Sequence, residues 1–260
     1  MNNFSLNDYG LAYLKTNNPM LANRNTDYIY NELITKKNLK PKSLLDICCG
    51  DGDFVITAKN RGVKSTGVDI NPYLINIANE KNKGINSSAS FELSDFLKWK
   101  SSNQYDVAVC LFNSFNYFIN RLECEQFINN IFKHLKNSGV LILEVLDYKI
   151  INEYLERNKR IFFHLNPNTG LSDEEYSLTN GGIYHENYFN EKNDNLITIR
   201  KVIENGIVHE FKTIMKVFEI MDIAKILISR GFSILDVYEG IPIMENGYPQ
   251  PNKIIYAQRL

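Results

Sequence analysis

Apolar positions in the first 150 residues fall into short solid blocks separated by helically spaced stripes. Leu44-Leu45-Asp46-Ile47, Thr66-Gly67-Val68-Asp69 and Tyr105-Asp106-Val107-Ala108-Val109-Cys110-Leu111 are too short for helices and too apolar for loops, so they predict buried strands. Thr26 through Lys36 predicts a helix ahead of the first strand. Asn71-Pro72 starts another, with proline at the first helical position and Leu74, Ile77 and Ala78 on one face. Residues 121 to 136 place Phe127, Ile128, Ile131, Phe132 and Leu135 on one stripe, and Asn137-Ser138-Gly139 predicts a stop before a strand from Val140 to Leu146. Strands and helices in alternation predict an α/β fold with a doubly wound, mostly parallel sheet. Ligands of such sheets sit at the carboxyl ends of the strands.

From about residue 160 the rhythm changes. Three stretches alternate like strands, Ile183 to Phe189, Leu196 to Ile203 and Ile207 to Val217, with Gly181-Gly182 and Asn205-Gly206 as turn signals. They predict an inserted antiparallel meander. A helix over 219–230 then stops at Gly231, and strands follow from Phe232 to Tyr238 and from Lys253 to Gln258, separated by a proline-containing loop over 242–251. This divides the chain into an N-terminal helical cover (1–40), an α/β core (41–158 and 218–260) and an antiparallel substrate cover (159–217).

Composition narrows the picture. A chain of 260 residues, 44% apolar, suits one α/β core with an insertion better than two equal domains. With 29 basic against 30 acidic residues it does not neutralise many phosphates, so nucleic acid is not an expected partner. No apolar run approaches the roughly 20 residues that cross a bilayer, and the first residues lack the basic start and apolar centre of a signal peptide, so no membrane partner and a cytoplasmic location are expected. The four cysteines have neither zinc spacing nor a disulfide framework. Abundant Asn, Lys and Ile suggest an AT-rich bacterial genome.

The chemistry concentrates at two strand ends. The first strand stops at Asp46 and enters a turn built on Gly50 and Gly52, and nineteen residues beyond Gly50 a second strand ends in Asp69. That is the spacing at which dinucleotide folds set a carboxylate on ribose hydroxyls. A nicotinamide fingerprint needs a third glycine where this chain has Val55, and a pyrophosphate disfavours the nearby carboxylates of Asp46, Asp51 and Asp53. S-adenosylmethionine carries a sulfonium and an ammonium instead, which these acids suit.

Asp46-Ile47-Cys48-Cys49-Gly50-Asp51-Gly52 resembles motif I of the class I S-adenosylmethionine-dependent methyltransferases, with Cys48 in place of the first glycine. The resemblance implies a seven-stranded Rossmann-like methyltransferase fold. It assigns Asp46, Cys48, Gly50 and Gly52 to the cofactor, Asp69 and Ile70 to its ribose side, Asp95 and Phe96 to adenine, and Leu111 and Asn113 to the segment facing the methyl group. The proline-containing tetrad of base-modifying amino-methyltransferases is missing after the fourth strand, where Asn113-Ser114-Phe115-Asn116 stands. The layout of the insertion resembles small-molecule N- and O-methyltransferases acting on amines and nucleotide-linked sugars, including enzymes of capsule precursors.

The expected acceptor is therefore a small molecule such as a nucleotide-linked sugar or capsule precursor, with a homodimer as the expected assembly if the chain associates. Candidate catalytic groups on the cover are His185, Glu186 and His209, with Tyr9 orienting the acceptor; strand alternation puts His185 and Glu186 on opposite faces. No metal site is expected. Two other readings share the pocket: a non-catalytic S-adenosylmethionine-binding partner of a paralogous enzyme, and an adenine-dinucleotide oxidoreductase.

Overall fold

The computed structural model describes residues 26–83, 88–149, 151, 155, 160–164, 182–204, 207–240 and 252–260. In chain order the strands are β1 (Ser43–Ile47), β2 (Lys64–Asp69), β3 (Ala89–Leu93), β4 (Tyr105–Cys110), β5 (Leu135–Leu146), β6 (Arg160–His164), β7 (Gly182–Asn190), β8 (Asn195–Glu204), β9 (Ile207–Lys216), β10 (Phe232–Glu239) and β11 (Asn252–Arg259). Seven of them form one sheet in the order β10-β11-β5-β4-β1-β2-β3, parallel except where β11 pairs antiparallel with β5 and β10. The order reverses between β1 and β4, the switch point where doubly wound sheets open a crevice.

Both faces of this sheet are covered. On one, Leu44, Val107, Val109, Ile142 and Tyr256 pack against α1 (Thr26–Tyr30) and α2 (Asp53–Asn60). On the other, Leu45, Ala108, Leu141 and Ile255 meet α4 (Arg121–His134) and α5 (Ile220–Ser229). The helix α3 (Pro72–Lys81) is capped by Asn71, whose side chain accepts from Tyr73 and Leu74 N–H, with proline at the first turn as expected. Ile75 joins Leu74 and Ala78 on its buried face, while Ile77 is only half-buried.

Three sequence expectations are revised. The segment 26–36 is not one regular helix: α1 passes into a π-turn over Asn31–Thr35, and the Tyr256 hydroxyl donates to the Leu33 carbonyl there at 3.0 Å. The 121–136 helix ends at His134, before the Asn-Ser-Gly signal, and β5 begins at Leu135. Arg259 explains this, because its guanidinium donates to the carbonyls of Phe132 and Leu135 and closes the helix from another part of the chain. The insertion is a four-stranded sheet, β6-β7-β8-β9, rather than a three-stranded meander. Gly181, Asn205-Gly206 and the 242–251 loop lie outside the described residues, although Glu204 pairing with Ile207 leaves a two-residue connection.

The cover sheet hangs from the end of β5. Asp147 bridges Phe218, Phe218 N–H donates to the Leu146 carbonyl at 3.4 Å, and Tyr148 N–H donates to the Phe218 carbonyl at 3.1 Å. Leu146, Ile151, Leu196 and Val217 close a small apolar cluster at the joint. The insertion thus meets the core at the carboxyl end of its sheet.

Candidate active site

Beyond Ile47 the chain turns sharply. Cys48 has φ +60°, and its N–H and that of Cys49 both donate to the Val68 carbonyl, at 2.8 and 3.2 Å, so the turn is fastened to the neighbouring strand. A left-handed backbone costs an L-residue about 1 to 2 kcal/mol, which gives a physical reason for glycine in the motif this turn resembles. Gly52, at φ +81°, answers to packing: a Cβ there would lie 2.5 Å from the Phe91 ring and 2.8 Å from Ala78 Cβ. That glycine lets the start of α2 press onto β3 and α3.

Asp69 ties the two strand ends together. Its Oδ2 accepts from Gly50 N–H and its Oδ1 from Asn71 N–H, each at 2.8 Å. Burial raises its pKa, while the backbone N–H groups of Asn71, Gly50 and Ile70 pull it back. Asp46, buried in the adjacent strand, is raised well above the ordinary carboxylate range by burial and then by the charges of Asp69 and Asp51. The sequence counted Asp51 and Asp53 with these acids, but Lys81 from the end of α3 takes both, at 2.7 and 2.6 Å. Among the described residues no lysine or arginine pairs with Asp46 or Asp69.

A paired-acid crevice at the switch point of this fold meets its relatives here. The profile of a methyltransferase domain family matches residues 44–139. Residues 44–139 carry a methyltransferase domain. A glycine/sarcosine N-methyltransferase of Parasynechococcus marenigrum is 25% identical over 162 residues, 57% of this chain and 57% of that protein. An S-adenosylmethionine-dependent methyltransferase of Clostridium acetobutylicum superposes with a TM-score of 0.68 at 18% identity, covering 90% of each chain. An amino pentose methyltransferase of Micromonospora echinaspora, solved with S-adenosylmethionine bound, gives a TM-score of 0.57 at 15% identity, covering 99% of this chain and 93% of that one. The chain spans about half the length of the curated relatives it matches.

The cofactor of this domain is S-adenosylmethionine, and the donor set at the crevice fits it. Two buried carboxylates, with no lysine or arginine paired to either among the described residues, match a ligand that brings hydroxyl donors and positive charge. Ile70 and Leu93, 50% and 55% exposed at the ends of β2 and β3, offer an apolar surface on the same rim. Phe96, expected at adenine, instead turns inward, its ring 5.1 Å from Phe127 and 5.8 Å from Trp99. These two aromatic neighbours make the core the better environment for it. Asp95 caps the following turn through Leu97 N–H at 3.0 Å and pairs with Lys98 at 3.4 Å.

The segment after β4 carries the most unusual backbone of the domain. Leu111 is buried, then Phe112 and Asn113 follow in the left-handed region at φ +56° and +59°. Phe112 N–H donates to Glu144 Oε2 at 2.5 Å, and Asn252 from β11 donates its amide to the other oxygen of Glu144. Asn116, fully buried, accepts from Leu146 N–H at 3.1 Å and donates to the Lys216 carbonyl at 2.6 Å. Glu144, Asn252, Asn116 and Lys81 were not singled out from sequence. An acid in an apolar strand and a polar residue at the start of the last strand were the only signals for the first two.

Of the expected catalytic groups, Tyr9 lies outside the described residues. His185 pairs in register with Ile161 and Arg200, and His209 with Val202, but their side chains are outside the described part. Glu186 is half-buried opposite Ile199. Asp147, considered as a cation ligand, accepts from Lys149 N–H at 3.1 Å and has the Lys253 ammonium 3.9 Å away. Among the described residues no cluster of three metal-ligating side chains occurs, and no helix is long and apolar enough to cross a membrane.

Proposed function

We propose that the protein transfers a methyl group from S-adenosylmethionine to a nitrogen or oxygen of a small molecule, a nucleotide-linked sugar or related surface-polysaccharide precursor being the acceptor class that fits best. The observation that carries this reading is the unneutralised pair Asp46 and Asp69 at the switch point, in a chain whose antiparallel sheet is hung from the same rim. The amino pentose methyltransferase among its structural neighbours supports the sugar class. The two halves have separate duties: 41–158 with 218–260 hold the cofactor, while 159–217 and the first 40 residues close over the acceptor.

Bound at this rim, S-adenosylmethionine supplies a methyl group on a positively charged sulfur that departs as a neutral thioether. Asp69 holds the ribose hydroxyls while its backbone partners keep its carboxylate oriented. Asp46 sets negative charge under the cationic part of the ligand. The Phe112–Asn113 turn and the cover exclude water and hold the acceptor in line, the proximity contribution that dominates a direct displacement. His185, Glu186, His209 and Tyr9 remain the cover groups assigned to proton removal or acceptor orientation.

Calorimetric titration with S-adenosylhomocysteine, with NADH in parallel, tests the cofactor assignment. Micromolar or tighter binding of the first alone is expected, and an acceptor screen with nucleotide-linked amino sugars and their hydroxyl counterparts follows. Binding of NADH alone would overturn the reading.

A further inference from the structure

The chain sorts its charges around the turn that follows β1. Asp46 from β1, Asp69 from β2 and Asp51 from the turn lie close enough to act on one another, and Asp53 stands at the first position of α2. Lys81, the last residue of α3, reaches Asp51 Oδ2 at 2.7 Å and Asp53 Oδ1 at 2.6 Å. Among the described residues it is the only lysine or arginine paired with any of these four acids. Its two contacts differ in consequence. The Asp53 side chain is 47% exposed and sits at a helix N-terminus, so water and the helix dipole already stabilise its charge. The Asp51 side chain is only 12% exposed, and its charge is felt by both Asp46 and Asp69, so Lys81 matters chiefly to Asp51.

The lysine is held at both ends of its helix. Asp69 Oδ1 accepts from Asn71 N–H at 2.8 Å where α3 begins, and about one turn before Lys81 the Ala78 Cβ lies 2.8 Å from where a Cβ on Gly52 would stand. Gly52 separates Asp51 from Asp53, so the packing of Ala78 and the grip of Lys81 fix the same turn. This arrangement leaves Asp46 and Asp69 to a ligand and withholds Asp51 from it. From it we infer that Lys81 sets how strongly the crevice prefers S-adenosylmethionine over its product S-adenosylhomocysteine, by cancelling the charge of Asp51. The inference rests on the cofactor reading above and deepens it. The two ligands share adenosine, carboxylate and α-ammonium and differ by one methyl group and one positive charge on sulfur. Their affinity ratio therefore reads the net charge at the crevice, whereas a brace for the turn affects both ligands alike.

Calorimetry with the two ligands on the wild type, Lys81→Met, Asp51→Asn and the double variant gives that ratio for each protein, with no acceptor needed. Lys81→Met adds one net negative charge and should raise the preference for S-adenosylmethionine about fivefold, whereas Asp51→Asn removes one and should lower it about fivefold. The double variant restores the net charge and should return to within about twofold of the wild type. Lys81→Arg, which keeps the charge, should hold the wild-type ratio. If Lys81→Met does not fold, Asp51→Asn and Lys81→Arg carry the test. Equal weakening of both ligands in Lys81→Met would mean that the lysine only braces the turn, and an unchanged ratio in Asp51→Asn would mean that this charge does not reach the sulfonium; either result overturns the inference. A wild type that binds neither ligand removes the cofactor reading first and this inference with it.

Discussion

The carboxyl rim of β1 and β2 and the cover sheet β6–β9 solve opposite problems in one chain. The rim is rigid: Leu44, Leu45, Ile47 and Val68 are wholly buried, and the turn beyond them is stitched by Cys48, Cys49 and Gly50 N–H groups to the neighbouring strand or its acid. The cover has a polar centre, where Asn187, Thr198 and Thr213 are buried in register across three strands and linked by hydroxyl hydrogen bonds. It meets the core through the Asp147–Phe218 bridge, Asn116 and the Phe115–Phe218 ring contact at 5.4 Å. The difference teaches that the geometry of the rim is stored in backbone hydrogen bonds inside the main sheet, whereas the placement of the second sheet depends on the joint at Asp147 and Phe218.

Breaking the rim should cost most. Asp69 and Gly52 separate its two duties. Gly52→Ala puts an L-residue at φ +81° with its Cβ inside contact distance of Phe91, and should destabilise the whole domain by about 3 kcal/mol in urea unfolding. A loss under about 1 kcal/mol would show that the α2–β3 contact yields easily. Asp69→Ala should weaken S-adenosylhomocysteine by about 1.5 to 3 kcal/mol, read by calorimetry. Unchanged affinity would remove Asp69 from the ribose and leave it as a brace for Gly50.

At the joint the effect should be smaller and local. Asn116→Ala strands Leu146 N–H and the Lys216 carbonyl, so about 1 to 2 kcal/mol of protection should vanish from β9 in hydrogen exchange while β1 and β4 keep theirs. Equal loss in both sheets would mean that cover and core unfold as one unit.

The smallest expected effect is electrostatic and sharpens the role of the rim. Asp46 has its folded pKa raised, so its contribution to stability is full below the unfolded value near 4 and is lost as pH rises through the folded one. The unliganded protein should therefore lose stability, read as a falling Tm, as pH rises from about 4 through that titration. A cationic ligand favours the ionised form, so the gap between the Tm values with S-adenosylmethionine and S-adenosylhomocysteine should widen over the same range. A constant gap would separate Asp46 from the sulfonium.

Legibility of the site followed the distance along the chain over which each part is built. Gly50, Asp46 and Asp69 sit at strand ends that local pattern places, so their convergence was readable. Phe96 was misplaced because its sequence neighbours give no sign that Trp99 and Phe127 close around it. Lys81 escaped notice for the same reason: its partners Asp51 and Asp53 lie 30 and 28 residues away.

By itself the sequence determined the alternation of strand and helix, the parallel sheet, the position of the crevice and the acids in it, because hydrophobic period and turn chemistry act over a few residues. Only the tertiary structure decided where the long helix ends, that the insertion has a fourth strand, which acids stay free of lysine, and that Glu144 and Asn252 hold the turn at Asn113. Those outcomes depend on groups brought together from 18 to 127 positions apart, for which the strands between them, not local preference, set the geometry.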